Sequence, residues 1–168
     1  GRLRPALQVQ NHDYADPLAG VEENIAYNAL LIGSTLVGMR VADIMAAIDH
    51  ITTTINPASI TLCARRDAAL VACFAAAIDP RVRQVAVEDM PLSFRPLFEP
   101  AGQAINASQL VPCLLRDFGD IPKILQQIAP RRVLVAAPLY EPVDVPESVQ
   151  TSGTRFSGNP DILTRWLR

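Results

Sequence analysis

One stretch, residues 60–81, restricts the fold of this chain more than any other. Ile60-Thr61-Leu62-Cys63-Ala64 is apolar and too short for a helix. Arg65-Arg66-Asp67 follows, and an alanine-rich run through Ala77 is then stopped by Asp79-Pro80, where proline cannot continue a helix. The pattern predicts a buried parallel strand over 60–63, a sharp turn, and a helix over 67–77 packed on that strand. In an α/β protein, ligands and nucleophiles sit where the carboxyl end of a strand enters a helix. Arg65, Arg66 and Asp67 are therefore the first candidate site residues.

The rest of the chain supplies partners for this unit. Residues 6–10 alternate as a short strand, and His12 falls in a turn-rich loop. Ile25, Ala26, Ala29 and Leu30 mark one face of a helix over 21–31, with Glu22 and Glu23 in a first turn that favours negative charge. Val37, Val41, Ile44, Met45, Ile48 and Ile51 recur at steps of three and four, as in a helix covering a sheet, with His50 near its end. Residues 52–59 read as a loop broken by Asn56-Pro57. Residues 82–88 alternate as a strand, 89–118 read as a lid-like excursion, and Pro122 opens a short helix at its first position. Val133-Leu134-Val135-Ala136-Ala137 has the character of a strand covered on both faces. An irregular tail over 141–160 leads to a final helix anchored by Trp166. The alternation implies α/β architecture, a three-layer sandwich with a mostly parallel sheet, in one domain spanning 1–168.

Composition narrows the function classes. Of 168 residues 49% are hydrophobic, the net charge is −2, and there is no basic stripe interleaved with aromatics. Nucleic acid and membrane are therefore not expected partners. No glycine-rich dinucleotide or phosphate loop occurs, and no cofactor or metal is expected. Cys63, Cys73 and Cys113 are isolated in apolar surroundings and read as buried thiols. The chain begins at Gly1 with no signal pattern, as a processed form or a piece of something longer would.

Several segments in order carry a resemblance: Gly33-Ser34-Thr35-Leu36-Val37-Gly38-Met39-Arg40-Val41-Ala42-Asp43, Asn56-Pro57-Ala58-Ser59-Ile60-Thr61-Leu62, Ala75-Ala76-Ala77-Ile78-Asp79-Pro80-Arg81-Val82, Val111-Pro112 to Asp120-Ile121-Pro122, and Ala129-Pro130-Arg131-Arg132-Val133-Leu134. Over roughly residues 28–138 they are similar to α/β-hydrolases, in the acetylxylan-esterase and dienelactone-hydrolase-like branch. The resemblance implies a carboxylic-ester hydrolase fold, and a small ester or carbohydrate ligand. It also implies strands missing at the N-terminal side, whose exposed sheet edges would pair with another chain or segment, as in a homo-oligomer.

The same resemblance sets Arg66 at the nucleophile position of an elbow, with Ala64 and Ala68 at its two glycine positions. That turn needs a residue at positive φ whose side chain stands free above the sheet. Arginine stays charged and cannot attack a carbonyl. Cys63 lies in the strand, and Ser34 and Ser93 lack elbow geometry. Tyr140, Glu141 and Asp144 stand near the place of the triad acid, but His12 and His50 both precede the elbow and fill no base position. No catalytic residue is assigned. The surviving constellation is Arg65, Arg66 and Asp67, with Glu88, Asp89 and Asp144 nearby. It reads either as a site for an anion or a partner, or as a structural ion-pair set closing a vacated pocket. The available acids favour the second.

Overall fold

A computed structural model describes residues 20–95, 107–139 and 145–167. The expected strand over 6–10, His12, Tyr140, Glu141 and Asp144 lie outside the described residues. Helix α1 (Val21–Leu31) leads through a tight turn to α2 (Leu36–Ile55), whose N-cap Thr35 accepts a hydrogen bond from the Gly38 amide at 2.9 Å. Strand β1 (Ile60–Arg65), helix α3 (Asp67–Ile78) and strand β2 (Val82–Glu88) follow. After a 3₁₀ turn (Ala107–Gln109) come α4 (Leu114–Asp117), α5 (Ile121–Ile128), β3 (Arg132–Ala136), β4 (Val149–Ser152) and α6 (Pro160–Leu167).

The four strands form one all-parallel sheet in the order β1-β2-β3-β4. Strand side chains alternate between faces, and both faces are covered by helices. Val85, Val87, Val133 and Val135 pack with Leu70 and Cys73 of α3 and with Ile121, Leu125 and Ile128 of α5. Ala86 and Leu134 face the other way, against Trp166 of α6, Phe156 and Leu163. Each fully buried aliphatic side chain contributes roughly 1.5–3 kcal/mol. The alanines of α3, at positions 69, 72, 75 and 76, are buried and let the helix axis approach the sheet closely. The α/β class and the parallel sheet expected from the sequence are thus observed.

Several expectations are corrected. The predicted loop over 52–59 begins four residues late, because α2 continues to Ile55. The Thr53 hydroxyl is satisfied by the carbonyls of Asp49 and His50, at 2.9 and 3.0 Å, and the helix ends where Asn56 turns left-handed at φ 49° before Pro57. The predicted irregular tail contains β4, a short edge strand in which only Val149 is buried, so it shows no apolar run. The lid-like excursion starts as core: Met90, Leu92 and Phe94 are buried. Asp120 caps α5 and ties this segment down, accepting from the Ile121 amide at 2.8 Å, the Phe94 amide at 2.9 Å and the Ser93 hydroxyl. Pro122 accordingly stands at the second helical position. Ile25 and Leu30 of α1 are exposed, and only Ala26 and Ala29 of the expected face are buried. The strand over 60–63 is parallel but lies at the sheet edge, so its residues are half-buried and Cys63 is exposed. Cys113 is exposed as well, leaving Cys73 as the buried thiol of the three.

Among the described residues no single helix is long and apolar enough to cross a membrane; α1 and α2 meet both conditions only as a pair, and are bent by 92°.

The amino edge of the sheet is clamped by ions. Asp79 is buried and receives the Arg81 guanidinium in a fork, with contacts of 2.6 and 3.0 Å. Arg81 also reaches Asp49 of α2 at 2.7 Å, while Arg131 donates to the carbonyls of Asp79 and Val82 at 2.9 and 2.8 Å. Hydrogen bonds from the Arg81 side chain outweigh the opposing effect of burial and hold the Asp79 carboxyl below its ordinary range. A depressed carboxyl pKa stabilises the fold above the unfolded value of 3.8, and that stabilisation is lost as pH falls through the folded value. Asp79→Asn is expected to cost about 2 kcal/mol at neutral pH, measured by urea unfolding. The difference from the parent should shrink toward about pH 2; an undiminished difference there would contradict the assignment.

Candidate functional site

The carboxyl edge of the sheet is built by one backbone move made three times. Each of β1, β2 and β3 is followed by a single residue at positive φ: Arg66 at 54°, Asp89 at 55° and Ala137 at 45°. Each donates its amide to the last residue of the next strand. Arg66 bonds the Glu88 carbonyl at 2.9 Å, Asp89 that of Ala136 at 3.1 Å, and Ala137 that of Ser152 at 2.6 Å. The parallel ladder thus gains one more rung before the chain turns off. Arg66 holds φ 54° with ψ −126°, a combination that residues with a Cβ rarely adopt, and α3 starts at the next residue. Ala64 before it and Ala68 after it leave room for this reversal.

The first residue of α3, Asp67, accepts a hydrogen bond from the Gln109 side chain, which pins the 3₁₀ turn to the helix start. Parallel register places Arg65 of β1 beside Glu88 of β2. Glu88 is fully buried; Arg65 Nε lies 3.1 Å from Oε1 as an ion pair without hydrogen-bond alignment, and the Ser157 amide donates to Oε2 at 2.9 Å. Asp89 is also buried; Arg155 Nε donates to its Oδ1 at 2.6 Å, and Arg66 Nε stands 4.0 Å from its Oδ2 without a hydrogen bond. Asp89, and more weakly Glu88, raise the pKa of Arg155 above its ordinary value.

Three sequence-predicted site residues, Arg65, Arg66 and Asp67, therefore sit together, with Glu88 and Asp89 where they were expected. Asp144, the fourth, lies outside the described residues. Sequence reasoning missed Arg155 and the Ser157 amide, which follow β4. The signal for them was the strand itself: once β4 joins the sheet, the residues after it must lie on the same edge.

The other nucleophile candidates are occupied or unactivated. The Ser93 hydroxyl is held by Asp120. Desolvation raises the Cys63 thiol above its ordinary pKa, and burial pushes Cys73 up to about 12. His50 is exposed on α2. Among the described residues, no group of three or more His, Cys, Asp or Glu could hold a metal ion.

Two concavities are present, neither lined by Arg65, Arg66 or Arg155. A cleft of about 400 Å³ beside the start of α3 is lined by the Glu22–Arg40 ion pair, Asp43 and Asp67. An apolar groove of about 490 Å³ flanks the far half of α3, between Phe74, Ile78, Pro112 and Phe118. A scan against protein-family models and searches of curated proteins and of solved structures give no match.

Guanidinium groups that stay charged at accessible pH neither attack a carbonyl nor accept a proton; what they do is hold oxyanions. The thiol chemistry is directly testable. With an aromatic disulfide reagent, Cys63 and Cys113 should label in the native protein and Cys73 only on unfolding. Cys63 labelling should rise with a midpoint above pH 9.0. A midpoint well below that would mean an activated thiolate and overturn the inert reading.

Proposed function

We propose that this chain is an α/β-hydrolase-like module of the carboxylic-ester esterase type, in which the nucleophile elbow serves binding instead of bond breaking. The observation carrying this reading is Arg66 at φ 54° and ψ −126° between β1 and α3. That is the strained strand-to-helix reversal an elbow requires, with a guanidinium where a hydroxyl or thiol would attack. The all-parallel sheet and the small residues Ala64 and Ala68 flanking the turn support the same reading, as does the resemblance over residues 28–138. An acetylated sugar or another small ester is the ligand class that the resemblance implies.

Chemistry at this turn would need a nucleophile, a base to take its proton and an orienting acid. Arg66 cannot be the first. The nearest carboxylates, Glu88 and Asp89, are engaged by arginines and orient no imidazole. The reading predicts that the purified chain hydrolyses p-nitrophenyl acetate no faster than buffer does. Saturable turnover removed by Cys63→Ala but kept in Arg66→Ala would replace it with a thiol esterase.

A further inference from the structure

The three arginines of the carboxyl edge share a feature that separates them from ordinary surface ion pairs. Each meets its carboxylate through Nε: Arg65 to Glu88 at 3.1 Å, Arg155 to Asp89 at 2.6 Å and Arg66 to Asp89 at 4.0 Å. Among the described residues none of their Nη groups has a hydrogen-bond partner. The two carboxylates are buried, while the arginine side chains are 52%, 71% and 56% exposed for Arg65, Arg66 and Arg155. The buried acids thus hold the inner edge of Arg155 by a hydrogen bond and that of Arg65 by an ion pair, with Arg66 4.0 Å from Asp89, and leave the Nη donors of all three without a hydrogen-bond partner among the described residues.

Pairing adds a second argument. Three guanidiniums share two buried carboxylates, while Asp67, the third acid of this edge, is engaged by Gln109. Arg66 is the group left over, because Asp89 is already engaged by Arg155 at a much shorter distance. Arg81 on the opposite edge of the sheet shows the contrast: it closes on Asp79 through Nε and Nη2 together and on Asp49 through Nη2, a structural clamp in which Nη2 is used as well as Nε.

The geometry points to an oxyanion site at this edge, in which Arg155, oriented by Asp89, and the neighbouring Arg66 bind a carboxylate or phosphate group with their Nη donors. A planar or tetrahedral oxyanion has the several acceptor oxygens that such forks engage, whereas a halide does not. The inference rests on the reading of the elbow as a binding turn. The arginines would be the ligand contacts and Asp89 a positioning residue.

The test is titration of the purified chain with sodium acetate, with inorganic phosphate and with sodium chloride at matched ionic strength, followed by calorimetry and by arginine side-chain NMR signals. Saturable binding of acetate or phosphate is expected, the better of the two identifying the ligand's acidic group, with chloride not binding. Arg66→Ala should weaken binding at least tenfold. Arg66→Lys should weaken it nearly as much, because a single ammonium cannot reproduce the fork. Arg83→Ala, at an exposed position near the amino end of β2, should leave it unchanged, and urea midpoints confirm that each variant is folded. Equal behaviour of all three salts, or equal loss in Arg83→Ala and Arg66→Ala, would overturn the inference. Ester turnover by the parent would instead remove the reading on which it rests, so the two failures are distinguishable.

Discussion

The reversal at Arg66 is the constraint on which the rest of the structure depends. A strand parallel to β2 must give way at once to a helix running back along the sheet, and one residue at φ 54° and ψ −126° makes that change. Such a backbone costs of the order of 1–3 kcal/mol. Packing on both sides offsets it: Leu70, Cys73 and Ala76 of α3 are buried against the valines of β2 and β3. The Arg66 amide and carbonyl are both satisfied, by the Glu88 carbonyl and the Ala69 amide at 2.9 and 3.0 Å. With no buried polar group left open at the turn, the strain is tolerable. A single positive-φ residue that adds one backbone hydrogen bond likewise ends β2 at Asp89 and β3 at Ala137.

Two acids, Glu88 and Asp89, are buried at this edge. A carboxylate removed from water is costly unless paired and hydrogen-bonded. Register supplies Arg65 for Glu88, and the turn after β4 supplies both the Ser157 amide and Arg155. The expected ion-pair set therefore exists, but it is unequal. Asp89 is hydrogen-bonded by Arg155, Glu88 is hydrogen-bonded at Oε2 and only ion-paired at Oε1, and Arg66 is left mostly in solvent. In the proposed oxyanion site, ion pairing and anion binding would be two aspects of one arrangement, the buried acids setting the direction in which Arg65 and Arg155 face.

How much of this the sequence shows depends on whether a signal is local. Strand β2 over 82–88 was legible from its alternation, and β3 within 133–137 from an apolar run that is buried on both faces. Helix α3 was legible from its alanine run and its stop at Asp79-Pro80. Strand β4 was not, since Gln150, Thr151 and Ser152 are polar on an edge that buries only Val149. Cys63 was misjudged for the same reason, because nothing local says that β1 ends the described sheet. Arg155 lies 66 residues from Asp89 along the chain, and its place follows only from the topology.

The claim at the centre of this account is that the scaffold, not the arginine side chain, sets the path of the turn, which leaves that side chain available to a ligand. Replacing Arg66 by glycine tests it most directly, through the free energy of unfolding in urea. Glycine adopts this backbone without strain, at an entropic cost of about 0.5–1 kcal/mol in the unfolded chain. The account predicts a variant as stable as the parent or more stable by about 1 kcal/mol. A loss of 1 kcal/mol or more would show that pairing of Arg66 with Asp89 holds the turn in place, and would contradict it.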